Sequence, residues 1–409
     1  MNKKRTAFII VVLLIGAGFT SISQASVHPD DNSLHSQQIM ERNDVLFDCY
    51  VRILMRIAHK PSIAAGIIIN DTLVWSKGYG LYDIEKNKQA TSDTLYLQAS
   101  VSKTVTATAL MQLYDAGLVG LDDDVNTYLP FPLRNPNHPD IPITVRMLLS
   151  HRSSLADDNL YWLCLSYLPG DPDVPDWPDP WLREYLTPGG TGYSPNIWST
   201  AKPGEEYYYA NVGFSLIGYI IERLTGQSFN EYCKEHIFTP LQMYNTSFRL
   251  RDLDIGTIAV PYEYKNFNYH PHPHYGMYVI HPAASLRTSV KDYSHFIIAH
   301  MNGGVWNGVQ ILSQSAIEMM HKAWFSPEDK YNYGLGWQIA RKNFGKIEIS
   351  HSGGWPGVHT WVVMEPDKDT GVILFSNCLD SELGATWMES SAFVMMKNLL
   401  FIKAKRVAS

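Results

Sequence analysis

Cysteine is scarce in this 409-residue chain: four residues, Cys49, Cys164, Cys233 and Cys378, are scattered with no CxxC pair among them. That spacing argues against a zinc site. A chain of this length with 45% hydrophobic residues can bury a large core without disulfide staples, so buried free thiols are expected. Long basic runs are also missing, and 33 Lys and Arg against 40 Asp and Glu leave a net charge of -7. A surface that tracks phosphates is therefore not expected, which removes nucleic acid as a partner. There is no internal repeat and no low-complexity tract beyond the N-terminal region, so the prior is one large domain or two intimate ones.

The one long apolar run is N-terminal. MNKKRTAFIIVVLLIGAGFTSISQAS has a cationic start, an apolar stretch and small residues around Ser23-Gln24-Ala25, the build of a cleavable secretory signal. Residues 1–25 are read as the signal and 26–44 as a lead-in, with the mature protein secreted or periplasmic. A retained anchor helix is the alternative, because the run extends to Ile22. Apart from such an anchor, no membrane association is expected.

Apolar residues at helical spacing from Asp44 to His59 predict a helix, and two apolar runs around Asn70-Asp71 predict a β-hairpin. From Val101 the pattern becomes helical, VSKTVTATALMQLYDAGLVGL, with Val105, Ala109, Leu110 and Leu113 as a stripe and Gly117 as C-cap. From about Leu118 to Tyr269, helical runs alternate with long loops. Strand patterns return in YGLGWQIA, KIEISHSGG, HTWVVMEP and TGVILFSN, followed by an amphipathic helix from about Gly384 to Phe401. Strands at both ends with helices between predict one α/β domain interrupted by a helical insertion.

Three constellations bear on function. Ser100 and Lys103 lie one helical turn apart, so an amine can take the proton of a neighbouring hydroxyl; the alternative is a capping serine and a solvated lysine. Tyr209 and Asn211, at i and i+2 of an extended segment, can project a phenol and a carboxamide together, or Tyr209 packs and Asn211 caps the next helix. His351-Ser352-Gly353-Gly354 ends a strand with small residues that allow close backbone approach, or is only a glycine turn.

In this order, SVSK, Tyr209-Ala210-Asn211 and His351-Ser352-Gly353 resemble the penicillin-recognising serine hydrolases, in the branch that holds class C β-lactamases, DD-carboxypeptidases and related esterases and peptidases. SDN and KTG are absent; Tyr-x-Asn and His-x-Gly stand in their places. ITVRMLLSHRSSL, KPGEEYYYANVGFSLIGYIIERLTG, PAASLRTSVKDYSHF, YGLGW and HSGGWPGVHTWVV carry the likeness across residues 45–400. It implies a serine β-lactamase/DD-peptidase-like α/β (α+β) fold. In that fold an antiparallel sheet from 45–117 and 275–400 is flanked by helices, and 118–274 is the helical insertion.

The resemblance makes Ser100 the acylated nucleophile, Lys103 its proton acceptor and Tyr209 a general base or acid. Asn211, His351, Ser352 and Gly353 would bind substrate, and the amides of Ser100 and Gly354 would form the oxyanion hole. Whether Lys103 or Tyr209 takes the proton stays open. The chain is expected to be an exported serine hydrolase acting through an acyl-enzyme on a small amide, peptide or ester, DD-peptidase-like or esterase, with no cofactor and no metal. A class C-like β-lactamase and a non-catalytic penicillin-binding module are the alternatives. His351, where class C β-lactamases have a lysine, weighs against β-lactams as substrates, since histidine is mostly neutral near pH 7; facing a substrate carboxylate, it would make binding pH-dependent.

Other features are read as structure. His270, His272 and His274 are taken as a surface loop rather than metal ligands, and Asp122, Asp123 and Asp124 as a loop and cap. GDPDVPDWPDPW, with Asp171, Asp173, Asp176 and Asp179, is taken as an aromatic rim in which Trp177 and Trp181 face substrate.

Overall fold

A computed structural model of the chain describes residues 33–158, 167–169, 179–277, 279–324, 332–341, 347–379 and 387–408. The signal region, Cys164, Asp171, Asp173, Asp176 and Trp177 lie outside them.

The hairpin at Asn70-Asp71 starts the sheet. Both residues have positive φ, 45° and 61°, which suits the tight turn joining β1 (Ser62–Ile69) to β2 (Thr72–Asp83). With β3 (Lys88–Gln89), β4 (Gln338–Arg341), β5 (Ile347–Trp355), β6 (Val358–Glu365) and β7 (Thr370–Ser376), they form a seven-stranded antiparallel sheet in the order β4-β5-β6-β7-β1-β2-β3.

β1 reads SIAAGIII with every residue buried, because both faces of the sheet are covered. Ile63, Ala65, Ile67 and Ile69 pack with Phe47, Val51 and Leu54 of helix α1 (Ser33–Ile57) and with Phe393, Met396 and Leu400 near the C-terminus. Ala64 and Ile68 face the main core on the other side. On that side a Cβ at Gly66 would come within 2.6 Å of Val290, so glycine lets a helix close on the strand.

Helix α2 (Ser102–Asp115) runs between sheet and helical region, and ten of its residues in succession, Ser102 to Met111, are buried. The apolar stripe read from sequence understates this burial. Its threonines fit because their hydroxyls bond carbonyls: Thr104 to Val101 O and Thr108 to Thr104 O at 2.8 Å each, and Thr106 to Pro282 O at 2.5 Å. Gly117, at φ 72°, ends the helix, and the Leu118 amide reaches Leu113 O at 2.9 Å.

Between the two parts of the sheet come helix α3 (Asn211–Thr225), the four-residue α4 (His281–Ala284) and α5 (Val290–Met301), and α6 (Trp387–Ala408) closes the chain against α1. Asp122 and Asp124 pair with Arg146 and Arg134, and Asp124 also caps the short turn at 125–127, as read.

Three expectations are corrected. YGLGW is not strand: β4 begins only at Gln338, and the preceding segment buries Tyr333 and Trp337 and lies on α2, where a Cβ at Gly336 (φ 81°) would strike Ala107. His270 lies in a hairpin of 262–265 with 268–271, turned by Asn266 and Phe267 at positive φ, rather than in a loop. Cys233 and Cys378 are buried free thiols, but Cys49 is exposed on α1. Among the described residues, no helix is long and apolar enough to cross a membrane.

Candidate active site

Ser100 follows Ala99, whose φ of 46° puts a non-glycine residue in the left-handed region, a local strain that the surroundings must hold. They do so on both sides: the Gln98 amide donates to Leu286 O at 2.8 Å, and Thr360 Oγ1 donates to Gln98 O at 2.8 Å. Residues 99–101 form a single 3-10 turn, and α2 has Val101 at its N-cap with no side-chain cap. Ser100 is therefore not a capping serine, and its hydroxyl is left partly exposed beside Lys103.

Lys103 has no exposed surface. Its Nζ contacts Asn211 Oδ1 at 2.7 Å, Ala283 O at 3.0 Å and Ser100 Oγ at 3.1 Å, and lies 4.9 Å from the centre of the Tyr209 ring. Burial brings its pKa down to about 7, with Asp157 pulling the other way. Two of the three contacts are carbonyl oxygens, which only accept, and the third is a hydroxyl, which can donate. A neutral amine satisfies all three, with two N–H donors to the carbonyls and its lone pair toward Ser100.

Tyr209 meets Lys103 through its ring, and burial raises its phenol pKa while a hydrogen bond with Ser100 opposes the rise. The phenol therefore stays protonated, and a tyrosinate base is disfavoured. Asn211 does not sit in an extended segment with Tyr209: it is the first residue of α3, and Ala210 is the extended N-cap. Nor does Asn211 cap its helix. That task falls to Asp157, whose carboxylate accepts from the Asn211 amide at 2.8 and 2.9 Å, the Val212 amide at 3.2 Å and Asn211 Nδ2 at 2.6 Å.

His351 differs from expectation. It has no exposed surface; its Nδ1 lies 2.9 Å from Ser352 O and its Nε2 2.7 Å from the Tyr333 hydroxyl. The carbonyl can only accept, so Nδ1 carries the proton and Nε2 receives the phenol's. Burial, with Lys103 adding to it, takes the pKa down to about 3. A buried, neutral, doubly bonded imidazole does not present charge to a substrate carboxylate.

The residues after it do line the site. A Cβ at Gly353 would land on Gln98 O and Thr360 Oγ1 and come 3.2 Å from the Ser100 amide nitrogen, so glycine brings this strand against the nucleophile. β4 pairs with β5 only as far as Ser350. Among the described residues, 351–355 pair with β6 on one side alone, and Gly354 is exposed.

Sequence reasoning missed Asp157, His151 and Tyr333. His151 lies 4.2 Å, centre to centre, from Tyr209 and 4.9 Å from Tyr333, and its Nδ1 accepts from the Ala210 amide at 3.2 Å. SHRSSLADD and YGLGW contain all three, yet nothing local to those stretches assigns them a contact. Trp181 packs half-buried against the core. Among the described residues, no group of three or more His, Cys, Asp or Glu could hold a metal ion.

Comparison with known proteins gives the family and the fold. The family model described as Beta-lactamase matches residues 47–388. Protein flp of Staphylococcus aureus (strain MW2) is 27% identical over 327 residues, 79% of this chain and 61% of that protein. Penicillin-binding protein 4* of Bacillus subtilis (strain 168) is 26% identical over 333 residues, covering 75% and 65%. The chain thus spans less than two thirds of these curated relatives. The crystal structure of D-amino acid amidase from Ochrobactrum anthropi SV3 shares the fold, with a TM-score of 0.69 at 20% identity over 89% of this chain and 99% of that one.

Proposed function

Because the chain belongs to the β-lactamase family, we propose that it is an exported serine hydrolase that cleaves a small amide, peptide or ester through an acyl-enzyme on Ser100. The observation that carries this is Lys103, buried, near neutral and 3.1 Å from Ser100 Oγ. A solvated lysine at a pKa of about 10.4 could not accept a proton at pH 7, and a structural one would have no reason to meet a part-buried serine hydroxyl.

In this reading Lys103 Nζ takes the Ser100 proton as Oγ bonds the substrate carbonyl carbon. The resulting oxyanion lies between the amides of Ser100 and Gly354. Collapse breaks the bond to the leaving amine or alkoxide, which the Tyr209 phenol protonates; the proton on Lys103 then restores the phenol. Water attacks the acyl carbon by the reverse sequence.

Two features favour peptide-like substrates without a terminal charge. The edge at 351–355, which no described strand pairs on the β4 side, offers main-chain hydrogen bonds to an extended substrate. His351, neutral and buried, offers nothing to a carboxylate, which weighs against a class C-like β-lactamase. An amide of the kind named for the D-amino acid amidase is the first substrate to try, beside a D-alanyl peptide, a short acyl ester and a cephalosporin. Export rests on residues 1–25 and is tested by N-terminal sequencing of the secreted protein, with cleavage expected near Ala25.

The decisive experiment is labelling with a fluorophosphonate, followed by mass spectrometry of the modified peptide. Wild type should carry the adduct on Ser100, and Ser100→Ala should neither label nor turn over substrate. Turnover by the alanine variant within a few-fold of wild type rules out the nucleophile.

A further inference from the structure

Asp157 belongs to none of the motifs that identify the site, yet it touches the residue that binds Lys103. We propose that Asp157 is a positioning residue, which locks the Asn211 carboxamide so that its oxygen holds the Lys103 amine in line with Ser100. The inference rests on the reading of Ser100 as nucleophile and Lys103 as base.

The argument is one of donors and acceptors. A carboxylate only accepts and an amine directed at a carbonyl only donates. Asn211 bridges the two, with Nδ2 2.6 Å from Asp157 Oδ2 and Oδ1 2.7 Å from Lys103 Nζ. Its amide therefore has one permitted orientation. Rotation by half a turn would set oxygen against carboxylate and NH2 against amine, losing both bonds.

The carboxylate is anchored independently by the amides of Asn211 and Val212 at the start of α3, where the helix dipole favours negative charge. Every one of these contacts donates to Asp157, so its ionised form is the one that fits, although burial pushes its pKa up. The result is a chain from carboxylate to carboxamide to amine to hydroxyl that holds one geometry. Groups facing Lys103 from other elements are Tyr209 before α3, His151, and His351 on β5, besides Asp157 itself. Both histidines are held neutral by burial, which leaves Asp157 as the one anion in this group.

Asp157→Asn keeps shape and one capping oxygen but removes the charge and the obligatory acceptor. Its expected effects are a tenfold or greater fall in the labelling rate and a shift of the rising limb of the pH–rate profile to lower pH by about one unit, the scale of a lost opposite charge. Asp157→Glu should leave the limb near that of wild type. A residue that merely supports the fold would lower the amplitude and leave the limb in place.

The Lys103 titration is also read directly, by 13C NMR of protein labelled at the lysine ε-carbon, with Lys103→Arg identifying the signal. A lower Lys103 pKa in Asp157→Asn supports the proposal whether or not a substrate has been found. An unchanged pKa, or an unchanged limb and rate, overturns it. Absence of labelling in wild type with the expected NMR shift would instead reject the catalytic reading and leave the Asp157 arrangement standing.

Discussion

On the proposed reading, Lys103 sets the pH dependence of acylation. If its neutral amine accepts the Ser100 proton, the labelling rate follows the neutral fraction, half-maximal near the pKa of about 7 and falling about tenfold per pH unit below it. The assay is the second-order rate of fluorophosphonate labelling from pH 5 to 9, which reads reaction at Ser100 without deacylation. Lys103→Arg, charged throughout this range, should label about a thousandfold more slowly. Stability should show the same group. A lysine whose folded pKa lies below its unfolded value of about 10.4 destabilises the fold fully below about pH 7, where both states hold the proton. Between there and about pH 10.4 only the unfolded chain still holds the proton, so the cost shrinks across that window and stability rises with pH. Relative to Lys103→Met, which does not titrate, wild type should gain stability between pH 6 and 9, on the order of 2–3 kcal/mol for a folded pKa of about 7. A flat labelling profile, a limb above pH 9, or a constant stability offset between the two proteins would each refute the neutral amine.

Tyr209→Phe should lower amide turnover about a hundredfold or more, and ester turnover less because an alkoxide needs less help to leave; equal rates with wild type on both would make Tyr209 a packing residue. Gly353→Ala should slow labelling at least tenfold and destabilise by about 1–3 kcal/mol, because the new methyl collides with Gln98 O and Thr360 Oγ1; wild-type labelling would show that the strand edge is not held against Ser100. With the His351 pKa down at about 3, Michaelis constants for matched anionic and neutral substrates should run parallel from about pH 5.5 to 8.5, a window spanning an ordinary histidine. Divergence of the anionic substrate alone near pH 6.5 would mean that an imidazole titrates in contact with it.

The hairpin at Asn70-Asp71, the Ser102 helix and the four C-terminal strand segments were legible because periodicity and turn residues are local signals, although the first of those segments becomes ladder only at Gln338. The convergence of SVSK, Tyr209-Ala210-Asn211 and the 351–354 strand was legible only through resemblance, since it joins segments about a hundred residues apart. What the sequence did not show is the protonation of the site. A histidine in place of a lysine reads as a charge that responds to pH; burial against Tyr333 makes it a fixed neutral group. Asp157 was hidden because its partners, Asn211 and Val212, lie more than fifty residues away.

Charge separates these two kinds of information. Ser100, Lys103 and Tyr209 differ little in sequence terms from a site built around permanent cations, yet none is a permanent charge here: a hydroxyl, a buried amine with pKa about 7 and a buried phenol whose pKa is raised. With His351 neutral and Asp157 ionised, the groups around the nucleophile carry between zero and one negative charge. An anionic substrate gains no attraction from them, whereas a neutral amide loses nothing on entering, and an amide bearing a free ammonium group would be drawn in. On the proposed reading, the same burial that would make lysine a competent base at neutral pH also removes the cation that a carboxylate substrate would need, so an activated nucleophile and a preference for an uncharged or cationic substrate would have one physical origin.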